Sequence, residues 1–343
     1  MRWYRTASIL IAAPLLAGCG TQLQSSLDPA GAQAGSIGHL WWMYFWVMTG
    51  IYVLVVIFAL FAVLRRKSSE SHVTPERPEV APPQQQTRRT NGLVGGLVGL
   101  TAIILFVLLI GDFLAGRTID ADLDPHPIVV QVIGHQWWWE FIYQDQQPSR
   151  IVSTANELHL PVNRPIRIEL DSRDVIHSFW IPNLNGKKDL IPGHPTTTWL
   201  QPTSEGTYWA QCAEYCGAQH AHMRFTVTVE SQDKFDAWLE AGRQPAQQPK
   251  TESEKRGKQV FLTRQCSMCH AIDGTPAGGR VGPGLTHFAS RPTIGAGTLP
   301  NTRGDLGGWI IDPQHVKPGV RMPQNTLSSD ELQDLLDYLE SLQ

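Results

Sequence analysis

At 343 residues the chain is too long for one small fold and implies two folded domains with additional segments, at roughly 100 to 200 residues per domain. Charged residues are only 17% against about 25% in an average globular protein, so uncharged stretches must be concentrated locally. The net charge of -3 and the lack of any long basic run exclude an electrostatic footprint for nucleic acid. Five cysteines, one single (Cys19) and two close pairs (Cys212/Cys216, Cys266/Cys269), do not form an even disulfide framework and point to metal or cofactor chemistry.

Residues 1–18 read as an export signal, with Arg2 and Arg5 ahead of an apolar run too short to span a bilayer. The LAGC ending, Leu16 to Cys19, is similar to a bacterial lipoprotein cleavage box, which implies lipidation of Cys19; an ordinary leader with an incidental cysteine is the alternative. After an N-terminal segment at 19–38, residues 39–64 carry no charge and have Trp41, Trp42, Tyr44 and Trp46 in the first turns, predicting a transmembrane helix with an aromatic belt. A second span is predicted over 92–116, where Asp112 is the one charge and Gly92/Gly96 and Gly95/Gly99 offer small faces for helix contact. The 65–91 loop holds six basic and three acidic residues, whereas 19–38 has no basic residue, so the loop is expected in the cytoplasm and everything beyond 116 outside it. The expectation is a multi-pass protein of the bacterial inner membrane, in contact with lipid. Its extracytoplasmic part can then carry disulfides or covalent haem.

Between 117 and 242 short β-branched and aromatic runs, among them IVVQVI (128–133), WWWEFIY (137–143), IRIEL (166–170) and FTVTVE (225–230), alternate with Pro, Gly, Asn and Asp. Several strands and no long helical pattern predict an all-β sandwich or barrel. Ahead of the last run lies CAEYCGAQHAHM, Cys212 to Met223. Thiolate, imidazole and thioether donors together favour copper over hard cations, and zinc rarely takes a thioether. A Cys212–Cys216 disulfide with surface histidines stays open as the bland alternative. His177, in DVIHSFWIP, is a further imidazole in a suitable place.

At these residues the chain resembles the subunit II family of cytochrome c oxidases, through the predicted hairpin, GHQWWWEFIY (134–143), the His177 segment to Gly193, and the Cys212–Met223 loop. The resemblance implies a cupredoxin-like sandwich holding a binuclear CuA centre of two copper ions. Cys212 and Cys216 would bridge them, His177 and His220 would bind one each, Met223 would be a weak ligand, and Glu214 would bind through its carbonyl. It further implies a Mg2+ shared with subunit I through the Glu214 side chain, and Trp137 with Trp138 as the place where electrons enter from cytochrome c. His135, His159, His194 and His222 have no matching role. A carboxylate usual just before the second span is missing here, since no Asp or Glu occurs from Val80 to Gly111; proton entry is expected through Glu70, Glu76 or Glu79, or through subunit I alone.

Residues 243–251, RQPAQQPKT, read as a linker. Beyond it CSMCH, Cys266 to His270, has the spacing of c-type haem attachment, with two thiols for the vinyl groups and His270 as an axial ligand. Met322 in KPGVRMP is the expected second axial ligand, ahead of His287 and His315; Met268 lies inside the attachment loop and cannot cross the ring. LSSDELQDLLDYLESLQ, 327–343, predicts a helix capped by Ser329. The 252–343 stretch resembles a small all-α class I cytochrome c.

Taken together, a multidomain membrane protein is expected: a two-helix hairpin, a cupredoxin-like domain and a cytochrome c domain, acting as the electron-accepting subunit of a terminal oxidase. Electrons would pass from a cytochrome c or respiratory complex to haem c, then CuA, then the haem groups of subunit I, where O2 is reduced with proton translocation; subunit III would be a further partner. A CuA-type nitric oxide reductase and a membrane-anchored copper chaperone are the alternatives. From 120 to 242 there are 16 acidic and 8 basic residues, and from 252 to 343 there are 10 and 9, so the two domains offer no opposite charges. Tethering by the nine-residue linker is therefore expected to supply their encounter.

Overall fold

The computed structural model describes residues 24–65, 84–119 and 127–343. The leader, Cys19 and the glutamates Glu70, Glu76 and Glu79 lie outside them.

Among the described residues, 36–65 and 84–119 form one unit. Helices α1 (Ala32–Arg65) and α2 (Gln84–Ile119) are both longer than the apolar runs that announce them. Hydropathy marks only the stretch suited to lipid, whereas backbone hydrogen bonding carries a helix on into polar flanks such as Gln84–Arg89. At 1.5 Å per residue the 34 residues of α1 extend about 50 Å, against a hydrocarbon core of about 30 Å. Both helices are apolar enough to cross a membrane and turn Leu, Val, Ile and Phe outward. The glycine faces expected to bring the helices together are open: a Cβ on Gly92, Gly95, Gly96 or Gly99 would meet nothing within 4 Å. The close approach is instead at Gly111, where a Cβ would lie 2.8 Å from the Met43 methyl.

Residues 24–35 and 122–343 form the second unit, which holds both extramembrane domains. The first is a sandwich of two five-stranded sheets. One has the order β3 (Val152–Ala155), β2 (Trp138–Tyr143), β1 (Ile128–His135), β5 (Ile166–Ser172) and β8 (Thr196–Leu200). The other has β4 (Glu157–Pro161), β10 (Arg224–Glu230), β9 (Gly206–Cys212), β6 (His177–Trp180) and β7 (Lys188–Leu190). Period-two alternation makes the layers: Ile166, Ile168 and Leu170 point inward while Arg167, Glu169 and Asp171 point out. Trp139, Phe141, Phe179 and Phe225 fill the centre, with ring centroids 5.1 to 6.2 Å apart. A helix that the strand-rich pattern concealed, α3 (Gln232–Gly242), closes the domain by burying Phe235 against Tyr143. Its apolar stripe is a single i, i+3, i+4 set, Phe235, Trp238 and Leu239, too short to stand out in sequence.

The second domain is helical: α4 (Glu252–Thr263), α5 (Cys266–Cys269), α6 (Arg303–Ile311), α7 (Pro313–Val316) and α8 (Ser329–Glu340). Helices α4 and α8 each begin with a capping box, Thr251 with Glu254 and Ser328 with Glu331. The cap of the last helix is thus Ser328, one residue before the expected Ser329, because Glu331 stands three residues beyond Ser328. The helices cross at Gly257, where a Cβ would fall 1.9 Å from the Asp334 carbonyl oxygen, so the crossing admits only glycine. Ion pairs Arg256–Asp334 and Arg264–Glu331 brace it. The amphipathic face of α8 buries Leu335, Leu336 and Leu339.

The expected free linker is not free. Ala246 is buried in the cytochrome-domain core, its N–H donating to the Asp273 carbonyl at 3.1 Å. The two domains also touch directly. The Arg224 N–H donates to the Ala296 carbonyl at 3.1 Å, and buried Glu157 faces buried Arg291 at 3.6 Å. Encounter by tethering alone is therefore corrected to a built interface.

Candidate copper and haem sites

Cys212 ends β9, Met223 immediately precedes β10, and the loop between them folds back over the end of the sandwich. This brings Cys216, His220 and the first residue of β6, His177, to the same place. The Cys212 and Cys216 sulfurs are 3.8 Å apart, far beyond the ~2 Å of a disulfide. His177 Nδ1 is 3.9 Å from the Cys212 sulfur, His220 Nδ1 3.6 Å from the Cys216 sulfur, and Met223 Sδ 3.8 Å from the same sulfur. The Glu214 carbonyl lies 3.1 Å from the Cys212 sulfur. All six sequence-expected donors thus converge. The cysteines, His177 and Met223 are buried.

The surroundings tune these groups. Gly134 lets the His177 ring lie against β1, since a Cβ there would be 2.7 Å from the ring. Behind the ring, His177 Nε2 is 2.9 Å from the Asp174 carboxylate, which also accepts the N–H groups of Gln136 and Val175 at 2.8 Å each. Burial is the largest single influence on both and disfavours their ionised forms. It is outweighed by the hydrogen bonds taken together, from His177, Gln136 and Val175 for Asp174 and to Asp174 and Cys212 for His177, so Asp174 is lowered and His177 raised. That carboxylate fixes the ring so that Nδ1 is turned to the sulfurs, the second support a metal-bound imidazole needs. The Cys216 thiol hydrogen-bonded to Cys212 draws the Cys212 thiol down to about 4, with help from His177, and the Cys216 thiol is driven upward in return.

Trp137 was expected inside a strand. It lies instead in the two-residue turn between β1 and β2, with its indole N–H donating to the Cys216 carbonyl at 2.9 Å. Trp138 stacks on His135 with ring centroids 4.1 Å apart. His159 pairs with Glu230, and His222 lies 2.7 Å from the Gln219 side-chain oxygen, so neither joins the sulfur cluster.

In the second domain Cys266, Cys269, His270 and Met322 line one cavity, whose wall includes Trp137 and Trp138 from the β domain. His270 Nδ1 donates to the Pro283 carbonyl at 2.7 Å, leaving Nε2 for a metal. Burial lowers its pKa and so keeps the imidazole neutral. Gly282 allows the ring its place, for a Cβ would come within 2.5 Å of it. The fallback ligands are engaged or remote: His287 contacts the Gln343 and Gln244 carbonyls, and His315 is exposed and absent from the cavity wall. Sequence reasoning missed Lys317 in this wall. It is buried, yet nothing in its spacing distinguishes it from a surface lysine of a loop.

The fold joins a β domain with a cluster of sulfur and imidazole donors to a helical domain whose cavity is lined by a Cys-x-x-Cys-His segment. Two family models match, the periplasmic domain of cytochrome c oxidase subunit II over residues 146–231 and cytochrome c over 254–343. The cytochrome c oxidase subunit 2 of Alkalihalophilus pseudofirmus is 34% identical, covering 100% of this chain and 99% of the relative. That of Bacillus sp. strain PS3 is 31% identical, covering 96% and 94%. A solved periplasmic domain of cytochrome oxidase subunit II from Bradyrhizobium japonicum, 29% identical with a TM-score of 0.33, covers 35% of this chain and 97% of that one. The chain belongs to the cytochrome c oxidase subunit II family. Membership implies copper in the β domain, haem c in the C-terminal domain and extracytoplasmic placement of both.

Proposed function

We propose that this chain is the electron-accepting subunit of a haem-copper oxidase, anchored by two membrane crossings beside subunit I, with subunit III as a further partner. His177, Cys212, Cys216, His220, Met223 and the Glu214 carbonyl hold a pair of copper ions; Cys266, Cys269, His270 and Met322 hold haem c. The donor chemistry fits: two thiolates shared between two imidazoles and a thioether suit copper, and a cavity walled by a Cys-x-x-Cys-His segment and a distant Met suits a covalent haem. Bound there, these groups would carry single electrons from an external donor toward subunit I, where O2 is reduced to water and protons are translocated.

The rest is the work of the protein. The sandwich holds the sulfur cluster on strand ends that need not move between redox states, and Asp174 keeps the His177 ring oriented. The Glu214 side chain, half-exposed beside the cluster, is the group offered to a Mg2+ shared with subunit I. The observation that carries the reading is that the haem cavity and the sulfur cluster meet at one turn, where Gln136 and Trp137 both wall the first and donate to the Cys216 carbonyl of the second.

Purification of the complex, metal analysis and haem extraction test it. Two coppers per chain and a haem that stays covalently attached are expected, and the extractable haem types of subunit I distinguish oxygen from nitric oxide chemistry. One zinc in place of copper would sink the reading.

A further inference from the structure

We propose that Lys317 is a positioning residue that pins the cytochrome domain onto the copper domain at the Trp137 turn. The inference rests on the reading of the two sites above and adds how they are held together.

Lys317 follows α7, five residues before Met322, and is 1% exposed. Its Nζ donates to two carbonyls, Trp137 O at 2.8 Å in the β domain and Gly295 O at 2.9 Å in its own domain. A buried amine is costly unless hydrogen-bonded, and here half of its compensation comes from across the interface. Burial pushes the amine down to about 7; charged or neutral, it keeps N–H donors for both carbonyls. The next residues continue the contact. The Pro318 carbonyl accepts from Gln219 Nε2 at 2.8 Å, and a Cβ on Gly319 would lie 3.6 Å from the Trp137 ring. Residues 317–319 thus grip both the Trp137 turn and the Cys216–His220 loop, from the same loop that carries Met322.

A merely structural lysine, packed for its stem, would not need an acceptor in the other domain. Nor do net charges do the work, since 16 acidic and 8 basic residues face a nearly neutral partner. The contact relies on hydrogen bonds out of reach of salt. Trp137 is consequently half-buried beside the chain's own cytochrome domain, so a soluble donor is expected to deliver to the haem rather than to Trp137.

The test uses the purified complex with Lys317→Met and Lys317→Gln. Two readouts are needed, hydrogen exchange of the 134–140, 216–222 and 317–321 amides, and the rate of internal electron transfer at low and high salt. Lys317→Met is expected to raise exchange at all three segments. It should also slow transfer at least about tenfold and make it salt-sensitive, since a hydrogen bond from a charged donor is worth that factor or more in an equilibrium. Lys317→Gln, which keeps N–H donors on a shorter stem, should fall between. Native exchange and native rate in Lys317→Met, with both metal spectra intact, would overturn the pin and leave the functional reading standing. Absence of haem c or copper spectra from the unmodified complex would overturn that reading instead, while the exchange contrast still reports on the pin. Should Lys317→Met fail to retain haem, Lys317→Gln decides: raised exchange confined to the facing segments supports the pin, native protection refutes it.

Discussion

The two redox domains solve the same problem in opposite ways. In the sandwich the donor atoms lie at the ends of β9, β6 and β10 and in the loop between β9 and β10, above a core of fully buried rings, Trp139, Phe141 and Phe225, that holds them in place. In the cytochrome domain the attachment segment surrounds a cavity, Cys266 and Cys269 are only half-buried, and Met268 and Val281 are 72% and 53% exposed at its edge. There haem c would add to a helical core built of Phe261, Leu335, Leu336 and Tyr338. One site is made by its fold, and the other fold is completed by its cofactor.

The sharpest way to break that contrast is to prevent attachment. A Cys266→Ala/Cys269→Ala chain should lose the tertiary structure of 252–343, a loss comparable to a domain's whole stability of about 5 kcal/mol or more, while the sandwich keeps its own. Near-ultraviolet circular dichroism and hydrogen exchange resolved by domain would show it; a haem-free domain as protected as the native one would end the comparison. Next in size is Arg291→Met. It leaves the Glu157 carboxylate buried without its counter-charge and should cost about 3 to 5 kcal/mol in chemical denaturation, felt in both domains. Cys216→Ser tests the sandwich in the other direction. The colour of a copper pair bridged by two thiolates should vanish and at most one copper remain, yet apo-domain stability should change by only about 1 to 2 kcal/mol in thermal melts.

The smallest effect concerns acid. The Arg264 guanidinium and the Ser328 N–H hold Glu331 down to about 2 from 4.5, so the folded state gains from its ionisation above 4.5 and loses that gain as pH falls through about 2. Glu331→Gln preserves the capping box and should flatten the loss of cytochrome-domain stability in that window, followed by circular dichroism, without shifting the sandwich.

What could be read in sequence was local. CSMCH and CAEYCGAQHAHM declare their chemistry by spacing, and the strand alternation of IRIEL and the leucine stripe of α8 declare the layers. His177 joined them because its segment resembles a family. The turn position of Trp137 was hidden because an aromatic run looks like strand. Lys317 was hidden because its acceptor is 180 residues away. Ala246, in a stretch with every mark of a loose connector, is ordered by tertiary contacts, its burial in the cytochrome core and a hydrogen bond to Asp273. Spacing encodes ligands; contacts between domains leave no periodic trace.

The Glu157–Arg291 pair has a consequence for anyone wishing to cut the chain at 243–251. Each half, released, keeps one member of an ion pair at a face made to be covered, and Thr154 goes on hydrogen-bonding Glu157 at 2.6 Å with no cation opposite. The modules that look separable in a domain diagram are electrically a single article. A soluble copper fragment hands to solvent a carboxylate that the intact chain sets opposite Arg291.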